Sequence, residues 1–96
     1  MNRDLFLACV ADATRFALLE QLAAGDACVN DLVAATGQSQ SNVSHHLRQL
    51  RDCGFVDFRR DGKQNRYHLA HPDIARFVHT ATATAAALRG TCEVCA

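Results

Sequence analysis

Ser39-Gln40-Ser41-Asn42-Val43-Ser44-His45-His46-Leu47-Arg48-Gln49-Leu50 is the stretch on which the fold turns. Val43, Leu47 and Leu50 recur at helical spacing and form one apolar stripe. Gln40, Ser41, Asn42, Ser44, His45 and Arg48 occupy the rest of the circumference. Ser39 reads as the N-cap, its hydroxyl able to accept a first-turn N–H, and Cys53-Gly54 ends the helix. Immediately upstream, Asn30 reads as the cap of a brief helix over 31–36 that Gly37 closes. Two helices joined by a tight turn, the second with one apolar stripe and a face of small amides and hydroxyls, predict a helix-turn-helix.

Downstream the pattern changes. Phe55, Val56 and Phe58, then Tyr67 and Leu69, flank Asp61-Gly62, a turn signal between two strand-like runs. The resulting β-hairpin carries Arg59, Arg60, Lys63 and Arg66 toward its tip. Upstream, Leu5 to Val10 reads as a short apolar helix. Asp12 caps the next one, in which Phe16, Leu19, Leu22 and Ala23 repeat at helical spacing. After Pro72, residues 73–89 read as a long Ala/Thr-rich helix with Ile74, Phe77, Val78, Ala81 and Leu88. The order predicts a mainly α winged helix-turn-helix with a small hairpin wing, one domain over residues 1–96.

Charge supports a nucleic-acid face. Ten basic residues balance ten acidic ones, but unevenly. Residues 42–66 carry six basic side chains against three acidic, whereas residues 1–41 carry two against five. A basic segment in a neutral chain marks one anion-binding face. The short polar groups near the start of the second helix suit base edges, and Arg48, Arg60 and Lys63 suit phosphate. The alternative is an ordinary solvated surface; the basic hairpin beside the helix favours DNA. No Gly-rich phosphate loop, Ser/His/Asp order or paired carboxylates point to an enzyme. A protein-interaction module of the same fold has the basic segment against it. No apolar run reaches membrane-span length and the first residues lack a signal-peptide core, so a cytoplasmic, membrane-free protein is expected.

Residues 12–70 resemble the ArsR/SmtB metalloregulators, winged-helix repressors that bind operators as homodimers. The resemblance is carried by Asp12-Ala13-Thr14-Arg15 opening the second helix, by Ser39 to Leu47, and by Asp61-Gly62-Lys63 with Arg66-Tyr67 in the wing. Where the family usually has proline, Ala13 stands. The resemblance implies a homodimer built by the first and last helices, which suits the apolar segments Leu5–Val10 and Ile74–Leu88. It also implies an inducer that weakens operator affinity.

Five cysteines bear on the inducer: Cys9, Cys28, Cys53, Cys92 and Cys95. An odd number without a secretion signal favours metal or thiol chemistry over disulfides; each thiol can also be a small core hydrophobe. The family's zinc site on the last helix would begin at His71 and Asp73, but its second half falls on Thr84 and Ala87, which cannot ligate. A Cys-x-Cys at the short helix is half present, at Cys28-Val29-Asn30. The CmtR-type cadmium and lead sensors fit better. Ser41 to Ser44 and Arg51-Asp52-Cys53-Gly54 resemble that branch, and Cys53 falls on one of its ligands, although another falls on Gln49. Cys92-Glu93-Val94-Cys95 is a Cys-x-x-Cys in the position of its tail ligand. The expected site is therefore Cys53, Cys92 and Cys95. Three thiolates suit Cd²⁺, Pb²⁺ or As(III), and Zn²⁺ with a fourth ligand. Cys9 is expected to pack in the dimer interface, and Cys28 either packs or ligates. A thiol-redox or persulfide-sensing repressor of the same fold is the alternative.

Overall fold

A computed structural model describes residues 1–90. Its elements run α1 (Arg3–Val10), α2 (Ala13–Ala24), β1 (Ala27–Cys28), α3 (Val29–Thr36), α4 (Gln40–Asp52), β2 (Val56–Asp61), β3 (Gln64–Leu69) and α5 (Pro72–Ala87). Side-chain caps set most helix starts. Asn2 Oδ1 accepts the Leu5 N–H at 2.8 Å, Asp12 Oδ1 the Arg15 N–H at 2.9 Å, and Ser39 Oγ the Asn42 N–H at 3.1 Å. Ahead of α5, His71 Nδ1 accepts the Asp73 N–H at 3.0 Å, and Pro72 takes the first helical position, where no N–H is needed.

The predicted helices and hairpin are present, with four local differences. First, β1 has no counterpart in the sequence pattern. Ala27 and Cys28 pair antiparallel with Tyr67 and Arg66, making a three-stranded sheet in the order β1-β3-β2. A two-residue strand has no periodicity of its own; it exists because β3 offers it an edge. Second, that pairing draws the start of α3 upstream, so Cys28 rather than Asn30 stands at its cap. The Asp31 carboxylate accepts the Cys28 N–H at 3.1 Å. Third, the hairpin turns on Gly62-Lys63, because Asp61 still pairs with Gln64. Gly62 takes φ of 63° while among the described residues no non-glycine residue has positive φ, the pattern of a two-residue turn with glycine leading. Fourth, α5 stops at Ala87 with Leu88 at its cap, short of the expected Arg89.

One core joins these elements. Leu18 and Leu19 of α2, Leu32 of α3, Val43, Leu47 and Leu50 of α4, Phe55 and Val56 at the start of the hairpin, and Val78 of α5 are buried. Each helix thus spends one face on the same cluster, which fixes α4 by its Val43–Leu50 stripe and leaves its other face to water. Phe6 of α1 stacks on Phe55 at 5.1 Å and meets Phe77 of α5 edge-on at 5.0 Å, so α1 is pinned between α5 and the end of α4. Among the described residues no helix is long and apolar enough to cross a membrane.

Candidate nucleic-acid interface and thiol cleft

The α3–α4 turn is closed by local bonds. Gly37, at φ of 71°, donates its N–H to the Val33 carbonyl at 3.0 Å, and Thr36 Oγ1 donates to the Leu32 carbonyl at 2.7 Å. That geometry aims the N-terminal half of α4 outward. Gln40, Ser41, Ser44, His45 and Arg48 are all exposed. Asn42 differs: it is half-buried, and its Nδ2 donates to Gln38 Oε1 at 2.7 Å, bracing the turn. His46 is also half-buried, its Nδ1 3.0 Å from Gln49 Oε1.

The wing sorts the basic residues into two groups. Arg51 pairs with Asp57 at 3.2 Å and lies over the Phe58 ring, its guanidinium 4.3 Å from the centroid. Arg59 pairs with Asp26 at 3.3 Å and Arg66 with Asp61 at 3.2 Å. Those three are neutralised within the chain. Among the described residues, Arg48, Arg60 and Lys63 have no acidic partner. Arg60 donates instead to the Gly62 carbonyl at 3.0 Å and to Asn65 Oδ1 at 3.4 Å, which holds it along the turn. The uncompensated positive charge of residues 42–66 therefore gathers on α4 and the wing tip, at the three residues suited to phosphate. A narrow cleft joins the two parts: Gln40 of α4, Cys28, Val29 and Asn30 at the start of α3, and Lys63, Gln64 and Asn65 of the hairpin line it together.

The cysteines fall in two separate places. Cys28 is buried in β1, beside that cleft. Cys53, half-buried at the C-cap of α4, lies beside Cys9 of α1. The Cys9 Sγ–H donates to Cys53 Sγ at 2.9 Å. Cys9 is 7% exposed within the single chain, so its burial needs no dimer interface. Burial, reinforced by the neighbouring Cys53 sulfur, pushes the Cys9 thiol above its ordinary pKa. Cys9 and Cys53 both line a cleft of about 290 Å³, together with Arg15, Gln49 and Asp52. Arg15 organises its wall: Nε donates to the Cys9 carbonyl at 2.8 Å, Nη2 to the Ala8 carbonyl at 3.3 Å and Nη1 to Gln49 Oε1 at 3.1 Å. A guanidinium thereby satisfies the last carbonyls of α1 and complements its dipole.

Cys92 and Cys95 lie outside the described residues. Among the described residues no group of three or more His, Cys, Asp or Glu side chains is placed to hold a metal ion. His71 and Asp73, the remnant of the last-helix zinc site, are engaged with each other at the α5 cap. The Cys9–Cys53 meeting escaped the sequence because the two thiols are 44 residues apart and neither belongs to a spaced motif.

A helix-turn-helix with a three-stranded wing and an exposed polar recognition face defines the winged-helix class of DNA-binding regulators. Residues 12–57 match the family model described as bacterial regulatory protein, arsR family, and the chain belongs to that family. It is 42% identical over 81 residues to a probable mercury resistance operon repressor of Streptomyces lividans, covering 84% of this chain and 65% of the relative. It is 43% identical over 67 residues to the HTH-type transcriptional regulator CmtR of Mycobacterium bovis, covering 70% and 57%. The chain thus spans about half to two thirds of the curated relatives it matches. Among solved structures, M. tuberculosis Rv0081 is similar at a TM-score of 0.81 with 35% identity, over 88% of this chain and 85% of that one. The homodimeric winged helix-turn-helix domain Mb0332 of M. bovis is similar at 0.75 with 28% identity, over 90% and 87%. The family is one of transcriptional regulators, not enzymes.

Proposed function

We propose that this chain is a metal-responsive transcriptional repressor. It binds operator DNA as a homodimer and lets go when a soft thiophilic ion binds cysteine thiolates. Gln40, Ser41, Asn42, Ser44 and His45 read or brace at the major groove, and Arg48, Arg60 and Lys63 meet phosphate. The observation that carries the DNA half is the sorting of charge. Within residues 42–66, Arg51, Arg59 and Arg66 are paired off internally, while Arg48, Arg60 and Lys63, on α4 and the wing tip, have no acidic partner among the described residues. A relative named as a mercury resistance operon repressor supports a metal inducer. Thiolate chemistry favours Cd²⁺ or Pb²⁺, with As(III) and Zn²⁺ as further members of the class. Cys53, with the tail cysteines Cys92 and Cys95, holds the ion. Cys53 caps the recognition helix, so its capture acts on the element that touches DNA.

The dimer is supported by apolar surface left over after folding. Leu5 and Leu7 of α1 are each 49% exposed, and Leu88 is 70% exposed. A shallow apolar groove runs along α5 past Phe77, Ala81, Ala85 and Leu88. The homodimeric Mb0332 domain is similar over most of this chain. Sedimentation at micromolar concentration tests it: a dimer is expected, and a stable monomer overturns it. A thiol-redox repressor is the second reading, and one observation favours it, the 2.9 Å approach of Cys9 and Cys53.

Selection from random-sequence duplexes, followed by binding to the selected site, tests the whole. A near-palindromic site with half-sites about 34 Å apart is expected. Failure to enrich any duplex at low salt overturns the DNA reading.

A further inference from the structure

Cys9 has no part in the site described so far, yet its sulfur is the group nearest Cys53 that has metal chemistry. We infer that Cys9 and Cys53 together form a two-thiolate site for a soft metal ion, with Cys9 an equal ligand and not a packing residue. The inference rests on the soft-metal reading above and names a ligand that reading lacks.

Three observations carry it. The sulfurs are 2.9 Å apart, both free, and on different elements, one on α1 and one at the end of α4. A tetrahedral zinc-sized ion, with metal–sulfur bonds of about 2.3 Å, holds two sulfurs about 3.7 Å apart, and a larger soft ion such as Cd²⁺ holds them farther apart. The 2.9 Å gap therefore has to open by roughly 1 Å, and by somewhat more for ions larger than zinc. Room exists on one side, because a cleft of about 290 Å³ is lined by both cysteines. Charge is provided for as well. Two thiolates and a divalent ion leave no net charge, and a further thiolate makes the site anionic. The Arg15 guanidinium, fixed on the cleft wall by the Cys9 and Ala8 carbonyls and by Gln49, opposes that charge without leaving its bonds. Cys28 is the useful contrast: equally a buried thiol, it lies in β1 and lines another cleft.

Metal binding here is proton release, since each thiol loses H⁺ as its sulfur joins the ion. No electron moves and no oxidant is needed. The geometric consequence is a strap between α1 and the C-terminus of α4, parallel to the Phe6–Phe55 stack. An ion that pulls on Cys53 then also pulls on α1, the helix whose Leu5 and Leu7 face outward.

The test is a Cd²⁺ titration of the reduced full chain against a competing chelator, read by sulfur-to-cadmium charge-transfer absorption. Wild type is compared with Cys9→Ser, Cys9→Ala, Cys53→Ser, Cys92→Ser and Cys28→Ser. Cys9→Ser and Cys53→Ser should each weaken Cd²⁺ binding at least tenfold and remove a similar share of the band, while Cys28→Ser titrates as wild type. Because Cys9 is buried, the alanine variant separates packing from ligation. Lost ligation makes the serine and alanine variants equal, while a packing defect makes them differ in step with their thermal melts. Wild-type binding in both Cys9 variants, with Cys53→Ser and Cys92→Ser weakened, overturns this inference and leaves the metal-sensor reading standing. Absence of any charge-transfer band in the wild-type chain overturns both.

Discussion

Arg15 is where three elements meet. Its backbone N–H is taken by the Asp12 cap, and its guanidinium reaches the end of α1 and Gln49 of α4. Hydrogen bonds from a charged donor contribute about 1.5–3 kcal/mol, so Arg15→Ala should lower stability by roughly that amount in urea denaturation. A change under about 0.5 kcal/mol would mean that solvent replaces those bonds at no cost. Asp12 adds a pH dependence. The hydrogen bond from the Arg15 N–H holds its carboxyl below the usual carboxylate pKa. The unfolded chain therefore takes up that proton first as pH falls. Stability from the cap is complete above about pH 4 and is lost as pH falls through the lower, folded value. Asp12→Asn keeps a capping oxygen without the charge, so below about pH 4 it should lose stability less steeply than wild type. Parallel acid profiles would contradict the linkage. The Asp12 and Ser39 caps are legible from sequence, since a cap is a short-range event. The partner of Cys9 is not, since it is chosen by how α1 packs on α4.

At the scale of the element, α4 and the wing are proposed to divide the work of binding. Lys63→Ala or Arg60→Ala should weaken binding to all duplexes and lower the salt slope by about one unit for each phosphate left without its cation. Gln40→Ala or His45→Ala should instead cost about 1–3 kcal/mol on the selected site alone. Anisotropy on selected and scrambled duplexes at several salt concentrations separates the two; four neutral substitutions would remove α4 and the wing from the interface. Gly62→Ala tests the turn itself, because a φ of 63° costs a side chain about 1–2 kcal/mol. The recognition helix is readable because Val43, Leu47 and Leu50 mark a period and Ser39 marks a start. The hairpin is readable from its alternation, but its turn cannot be placed to the residue: Asp61-Gly62 and Gly62-Lys63 both suit a two-residue loop, and the cross-strand pairing of Asp61 with Gln64 decides. Strand β1 is invisible in the sequence for the same reason, since two residues become a strand only beside β3. Asn42, on the polar side of the helix by spacing, is tied to Gln38 in the turn, a hydrogen bond that depends on the turn and not on the period.

At the scale of the molecule, α1 is the connecting part. It touches α5 through Phe77, the start of the hairpin through Phe55 and the end of α4 through Cys53. An ion held at Cys53, as proposed, would thereby change how the recognition helix sits relative to the helices proposed to pair the two protomers. Linkage makes that effect mutual: DNA must weaken metal binding by the same factor by which metal weakens DNA binding. Metal affinity should also rise with pH until the thiols are ionised, because each ligand gives up a proton. The general architecture of this arrangement is legible in the order of helices and hairpin, while the route through α1 depends on long-range packing that periodicity does not encode. Release of DNA by soft-metal binding at Cys53 is the step on which the proposed function depends. It is tested most directly by fluorescence anisotropy of the reduced chain on its selected duplex, with and without one equivalent of Cd²⁺, in wild type and Cys53→Ser. Cadmium should weaken wild-type binding at least tenfold and leave Cys53→Ser bound as tightly as the metal-free protein. Equal affinity with and without cadmium, in a wild-type chain whose absorption shows the metal bound, would contradict it.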